Sequence, residues 1–167
     1  MKNLKYWLTT DWHLNHARII EYENRPENFK ELIINNWLKV VQPNDIVINL
    51  GDVIFSRAKE LYDILPQLPG KKIMVTGNHD RQTSSWYRRA GFDYVCNLYE
   101  YKNIIFTHKP VDLNEYPNKN ITMNIHGHFH TKDDSAYGYH FYSKNHKCVS
   151  IEKLNYELIE LYDFINS

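Results

Sequence analysis

Apolar and polar positions alternate along this chain in blocks of element length. Residues 4–10 are a short apolar run ending in Thr10, which predicts a buried first strand. Phe29, Leu32, Ile33, Trp37, Val40 and Val41 recur at one-face helical spacing, and Pro43 ends that helix. After the turn residues Pro43 and Asn44, residues 45–50 give a second apolar strand. A second helix fits 56–65, stopped by Pro66 and by Pro69-Gly70, and 71–76 is a third strand around Ile73, Met74 and Val75. Residues 82–90 read as a helix closed by Gly91. Beyond Asp93 the texture turns to β. Residues 98–101 and 104–107, joined by Lys102-Asn103, predict a hairpin, with further strands at 121–126 and 147–154 and a terminal helix at 160–165. An α/β start followed by a β-rich half is the pattern of a layered α/β sandwich.

Length and charge narrow this picture. At 167 residues the chain is sized for one domain, and no repeat, low-complexity tract or linker divides residues 1–167. Twenty basic and twenty acidic residues cancel, which argues against whole-surface attraction to nucleic acid or anionic membrane. A local basic face, for which Arg81, Arg88 and Arg89 are candidates, is compatible with that sum. Cys96 and Cys148 are far apart and form no disulfide framework. No apolar run approaches the roughly 20 residues of a membrane span, and residues 1–8 lack a signal-peptide core, so a cytoplasmic protein without a membrane role is expected. Nothing in the pattern specifies an oligomeric state.

The chemistry lies where the predicted strands end. The first runs into Asp11-Trp12-His13, the second into Gly51-Asp52, and the third into Gly77-Asn78-His79-Asp80. Later strands run into His108 and into Gly127-His128-Phe129-His130. Ligands of open α/β sheets gather outside the carboxyl ends of the strands, so these motifs can meet at one point. Glycines 51, 77 and 127 suit strands that turn sharply there. Two carboxylates, an amide oxygen and several imidazoles form a mixed N/O donor set that suits first-row divalent metals. The absence of thiolate disfavours a closed structural zinc site, and the imidazoles disfavour calcium. Asp11, His13, Asp52, Asn78, His108, His128 and His130 are too many donors for one tetrahedral ion, and with one shared carboxylate they divide between two.

The ordered set D-x-H, G-D, G-N-H-D, H and G-H-x-H resembles the calcineurin-like metallophosphoesterase superfamily. Asp11-Trp12-His13-Leu14-Asn15-His16 and Asn24-Arg25-Pro26 further resemble its small single-domain bacterial and phage members. The resemblance implies a four-layer αββα sandwich, two mixed sheets flanked by helices. It implies two divalent ions, manganese first, with Fe, Ni, Co, Zn and Mg as alternatives. One would be held by Asp11, His13, Asp52 and His130, the other by Asp52, Asn78, His108 and His128. The implied reaction is attack of a metal-bridging hydroxide on a small or nucleotide-type phosphodiester, or on a monoester. His79 would be the general acid, its ring oriented by Asp80, and His16 and Arg25 would contact the substrate phosphate. His126, facing opposite to His128, reads as structural. A nuclease acting on DNA or RNA ends is the alternative enzyme, less favoured by the zero net charge. A protein-interaction scaffold on the same fold is the non-enzyme reading, and it predicts a degraded metal set that this chain does not have.

Overall fold

The computed structural model describes residues 4–56 and 59–167. In chain order, β1 (Tyr6–Thr9) is followed by α1 (Ile19–Tyr22), α2 (Phe29–Val40) and β2 (Ile46–Asn49). Then come α3 (Glu60–Ile64), β3 (Lys71–Val75), α4 (Ser84–Ala90), β4 (Tyr94–Cys96), β5 (Tyr99–Tyr101) and β6 (Ile104–Thr107). The chain ends with β7 (Met123–His126), β8 (His146–Cys148), β9 (Ile159–Glu160) and α5 (Leu161–Asn166). Both sheets are mixed. The first has the order β4-β3-β2-β1-β9 and the second β5-β6-β7-β8. β1 to β4 run parallel with β9 antiparallel, while β6 to β8 run parallel with β5 antiparallel.

The period-two alternation of the strands builds two cores. Leu8, Ile48, Ile73 and Val75 face Ile104, Phe106, Ile125 and Val149 between the sheets. Trp7, Val47 and Met74, from the same strands, face the other way and pack with Phe29, Ile33 and Trp37 of α2, Leu61 of α3 and Trp86 and Tyr87 of α4. The sheets therefore stack face to face with helices outside, the layered α/β architecture that the sequence predicts. No helix among the described residues is long and apolar enough to cross a membrane.

Several boundaries differ from the predicted ones for local reasons. α4 starts at Ser84 because Thr83 caps it, its Oγ1 accepting from the Trp86 N–H. The helix expected over 56–65 is α3 followed by a 3-10 turn at Leu65–Gln67, and Arg57 and Ala58 lie outside the described residues. The strand expected over 147–154 is β8 alone, because the chain turns from Ser150 onward with Tyr156 N–H returning to the Ile151 carbonyl. β9 and α1 are too short to leave a periodic signature.

Candidate metal centre

The first strand ends converge through paired backbone. Past β1 and β2 the two chains stay hydrogen-bonded: Asp11 N–H donates to the Gly51 carbonyl, His13 to Asp52 and Leu14 to Val53. Gly127 N–H donates to the His108 carbonyl, which ties the two motifs of the second sheet in the same way. Alternation does the rest. Trp12, between Asp11 and His13, is 1% exposed and sits edge-on to Trp37, with its indole N–H on Thr9 Oγ1. Phe129, between His128 and His130, is equally buried and stacks on Tyr137. The middle residue of each motif thus anchors in the core while its neighbours point into the pocket. Asp11, His13, Asp52, His128 and His130 all have φ between 49° and 74°. Non-glycine residues rarely adopt such angles, and several together mark a functional site.

Glycine matters here chiefly through close approach. A Cβ on Gly77 would collide with the Asp52 backbone and carboxylate, and one on Gly127 with the Thr10 hydroxyl and the Asp11 carboxylate. Only Gly51, at φ 100°, has the turning role expected of all three.

Each carboxylate is held by one oxygen and offers the other. Asp11 Oδ2 accepts from Thr10 Oγ1 and from the His128 N–H, whereas Oδ1 is buried without a partner. That oxygen lies 3.7 Å from His13 Nε2 and 3.6 Å from His130 Nε2, and the two imidazole nitrogens are 3.2 Å apart. Asp52 Oδ1 accepts from the His79 N–H, and Oδ2 lies 3.2 Å from His108 Nε2 and 3.7 Å from His13 Nε2. His108 Nδ1 donates to the Leu50 carbonyl, so Nε2 faces Asp52 and Asn78 Oδ1. Asp11, His13 and His130 form one cluster of metal-ligating atoms and Asp52, His108 and His128 another, with Asp52 Oδ2 facing both.

These donors fit divalent cations. An unpartnered buried oxygen beside converging imidazoles is an arrangement that a cation satisfies and that hydrogen bonding within the protein does not. The electrostatics agree. Burial disfavours a charge on His108, yet Asp52 and Asp11 prevail and push its pKa up to about 9, so positive charge is stabilised there. Burial and the nearby His108 and Lys109 push His128 down to about 4, which keeps its ring neutral and able to ligate. Burial opposes ionisation of Asp11, but the nearby His13 and the charges of His130 and His108 hold its carboxyl well below the usual range.

The structure places the remaining candidates differently from expectation in two cases. Arg25 is not at the mouth. Its side chain is fully buried, donating to the Asp11 and Trp12 carbonyls and to Glu152, so the first motif is tied down from behind and no donor faces a substrate. Asp80 does not orient the His79 ring. Its carboxylate accepts from the backbone N–H groups of Asp52, Val53 and Gly77 and from Tyr87 Oη, and His79 Nδ1 is buried without a partner. His16 does lie at the rim, its ring 5.8 Å from that of His13. His126 is buried and bonded to the Gly127 carbonyl and Tyr142, as a structural residue should be. Glu152 was not legible as a site residue. Its Oε1 accepts from His130 Nδ1 and from Arg25, at the turn after β8.

Comparison with known proteins bears on family and fold. The calcineurin-like phosphoesterase profile matches residues 4–160. An uncharacterized protein of Methanocaldococcus jannaschii is 33% identical over 172 residues, covering 96% of this chain and 89% of the relative. The gene 66 protein of Mycobacterium phage L5 is 32% identical over 80 residues, covering 44% of this chain and 39% of the phage protein. A crystal structure of a protein of unknown function from Aquifex aeolicus superposes with a TM-score of 0.76 at 27% identity, covering 98% of this chain and 99% of that one. The Pseudomonas putida nuclease MPE shares the fold, with a TM-score of 0.54 at 18% identity over 75% of this chain and 61% of the nuclease.

Proposed function

Because the chain belongs to the calcineurin-like phosphoesterase family, we propose that it is a metal-dependent hydrolase of nucleotide-type phosphodiesters, with monoesters as secondary substrates. The observation that carries this reading is the pair of ligand clusters meeting at Asp52, with the buried, unpartnered Oδ1 of Asp11 in one of them. Asp11, His13, Asp52 and His130 would hold one ion and Asp52, Asn78, His108 and His128 the other, manganese first among the candidates. Such ions supply Lewis acidity, neutralising phosphoryl oxygens and making water nucleophilic near neutral pH.

The protein's own groups do the remaining work. His79 borders the pocket, its ring 5.4 Å from that of His13, and is the proton donor to the leaving oxygen. Burial, with His13 and His108 nearby, holds its pKa below the ordinary value, and the negative charge of a phosphate beside the ring would favour the protonated form that donates. Asp80 secures the loop that carries His79 by accepting three backbone N–H groups. His16, at the rim, meets the substrate. Residues 1–167 act as one domain, and the free thiols Cys96 and Cys148 go with a cytoplasmic location.

The test is metal content and turnover across Mn, Ni, Co, Zn and Mg against an aryl diester, an aryl monoester and cyclic nucleotides. Asp52→Ala loses metal and activity together. His79→Ala keeps its metal and loses about 100-fold or more in turnover of substrates with poor leaving groups. A His79→Ala enzyme as active as the parent on those substrates overturns the role of His79. Stoichiometric metal with no turnover of any ester favours the scaffold reading instead.

A further inference from the structure

An aromatic wall leaves the ligand pocket on the His79 side. The Phe55 ring lies 5.9 Å from that of His79 and 4.5 Å from that of His16, and the Tyr22 ring lies 6.0 Å from that of His16. Phe55 is 39% exposed and Tyr22 55%. Ile54, the residue before Phe55, is 1% exposed and bridges to Leu14, so the same chain that enters the core turns this ring outward.

That presentation is built into the backbone. Phe55 N–H donates to the Leu14 carbonyl at 2.7 Å. Asn15 Nδ2 donates to the Phe55 carbonyl and to Ser56 Oγ. Asn15 and Ser56 both hold left-handed backbone, at φ 59° and 69°. Asn adopts such an angle more readily than most residues and Ser seldom does, and here the two hold the turn that presents the Phe55 ring to solvent.

Charge identifies the occupant. The Arg18 guanidinium lies 4.6 Å from the Tyr22 ring centroid, and Arg81, next to the His79-Asp80 pair, is exposed. Cations interleaved with exposed flat rings are the combination by which proteins hold single-stranded nucleic acid, phosphates on the cations and bases on the rings. An alkyl or lipid ester would gain little from an imidazole and an arginine-covered tyrosine.

Resting on the reading of this pocket as a phosphodiesterase, we infer that Phe55 and His16 form a stacking subsite for the nucleobase on the leaving side of a single-stranded phosphodiester. Tyr22 with Arg18 extends it by one nucleotide. The zero net charge of the chain does not oppose this, because the subsite is local.

The test compares pentathymidylate with a pentamer of the same backbone lacking bases, both with phosphorothioate links to suppress hydrolysis. Affinity is read by fluorescence anisotropy in manganese. The parent protein prefers the base-bearing pentamer, Phe55→Ala loses about 5- to 150-fold of affinity for that ligand alone, and Phe55→Trp restores it. Tyr22→Ala, at a more exposed position, gives a smaller loss with the same dependence on bases. Equal parental affinity for the two pentamers, or an equal loss on both in Phe55→Ala, overturns the subsite. Turnover of bis(4-nitrophenyl) phosphate by the parent protein is measured alongside. If it persists while the base preference is absent, the subsite fails and the hydrolase stands. If it is absent while the base preference is present, the hydrolase reading fails and the wall remains a nucleic-acid contact.

Discussion

The histidines of this pocket differ most in what lies behind them. His108 rests its Nδ1 on a backbone carbonyl, whereas His130 rests its Nδ1 on the Glu152 carboxylate. Glu152 also accepts from Arg25, whose other donors hold the Asp11 and Trp12 carbonyls, so one carboxylate fixes a ring and a strained motif together. With Nδ1 donating, His130 presents its Nε2 lone pair to the pocket. Glu152→Gln is therefore expected to weaken metal affinity about 10- to 100-fold while leaving the fold intact, measured by competition with a chelator. Glu152→Ala additionally strands the buried Arg25 guanidinium and is expected to cost about 3–5 kcal/mol in urea unfolding. Unchanged metal affinity in Glu152→Gln would remove this role. The structure brings together the donors that the sequence motifs single out, because donor types and order are specific. Glu152 was not legible in the sequence, because it belongs to no motif and reaches the site only through a turn that follows β8. Arg25 and Asp80 hold backbone where a substrate contact and a ring-orienting contact were expected, because a polar residue within or beside a motif is as free to brace it as to take part in its chemistry.

At the scale of elements, periodicity gave the middle of the longer helices and strands and chemistry decided the ends. The α2 face, the inner strands and the β5–β6 hairpin followed from spacing alone. β4 and β9 did not, since three and two residues carry no period. One end shows how much a single side chain decides. Asp45, before β2, accepts from the Gln42 and Lys5 N–H groups and from the Trp7 indole, joining the α2–β2 turn to the start of β1. Burial raises the pKa of its carboxyl, but these hydrogen bonds outweigh it, and the net direction is downward from 3.8. A group depressed on folding contributes stability that is fully present above its unfolded pKa and is lost as pH falls through its folded pKa. Asp45→Asn should flatten the decline in stability below pH 3.8 relative to the parent. Asp45→Ala should cost about 2 kcal/mol at pH 7. Thermal unfolding from pH 7 to pH 3 measures both, and parallel curves for parent and Asp45→Asn would refute the linkage.

Across the whole molecule the ligand pocket is a seam. Asp11, His13, Asp52 and Asn78 follow strands of the first sheet, and His108, His128 and His130 follow strands of the second. Between the two sheets lies an apolar core, and hydrogen bonds from the His128 N–H to Asp11 Oδ2 and from His108 Nδ1 to the Leu50 carbonyl cross the seam. The pocket is costly by itself: left-handed φ at five candidate ligand residues, two carboxylates close together and an unpartnered Asp11 oxygen all oppose folding. A ligand that binds only the folded chain offsets these terms by mass action, about 2.7 kcal/mol at a concentration 100-fold above its Kd. For a chain of this size that corresponds to a rise in Tm of about 5–10 °C. Manganese should therefore raise Tm by this amount and a chelator should reverse it. Asp52→Asn separates the metal clamp from charge pairing inside the pocket, because Asp52 Oδ2 faces both clusters and its charge favours protonation of His108 while opposing ionisation of Asp11. In chelator the variant should melt below the parent temperature, since burial and the like charge of Asp11 are outweighed by the pairing of ionised Asp52 with His108, which the neutral amide loses, while the hydrogen bond from the His79 N–H is kept. In manganese it should gain only a fraction of the parental shift. Differential scanning calorimetry of both proteins in both buffers gives the four temperatures. A parent chain indifferent to manganese, or an Asp52→Asn chain stabilised as much as the parent, would show that an ion shared at Asp52 adds no clamp to the core and hydrogen bonds that already join the two sheets.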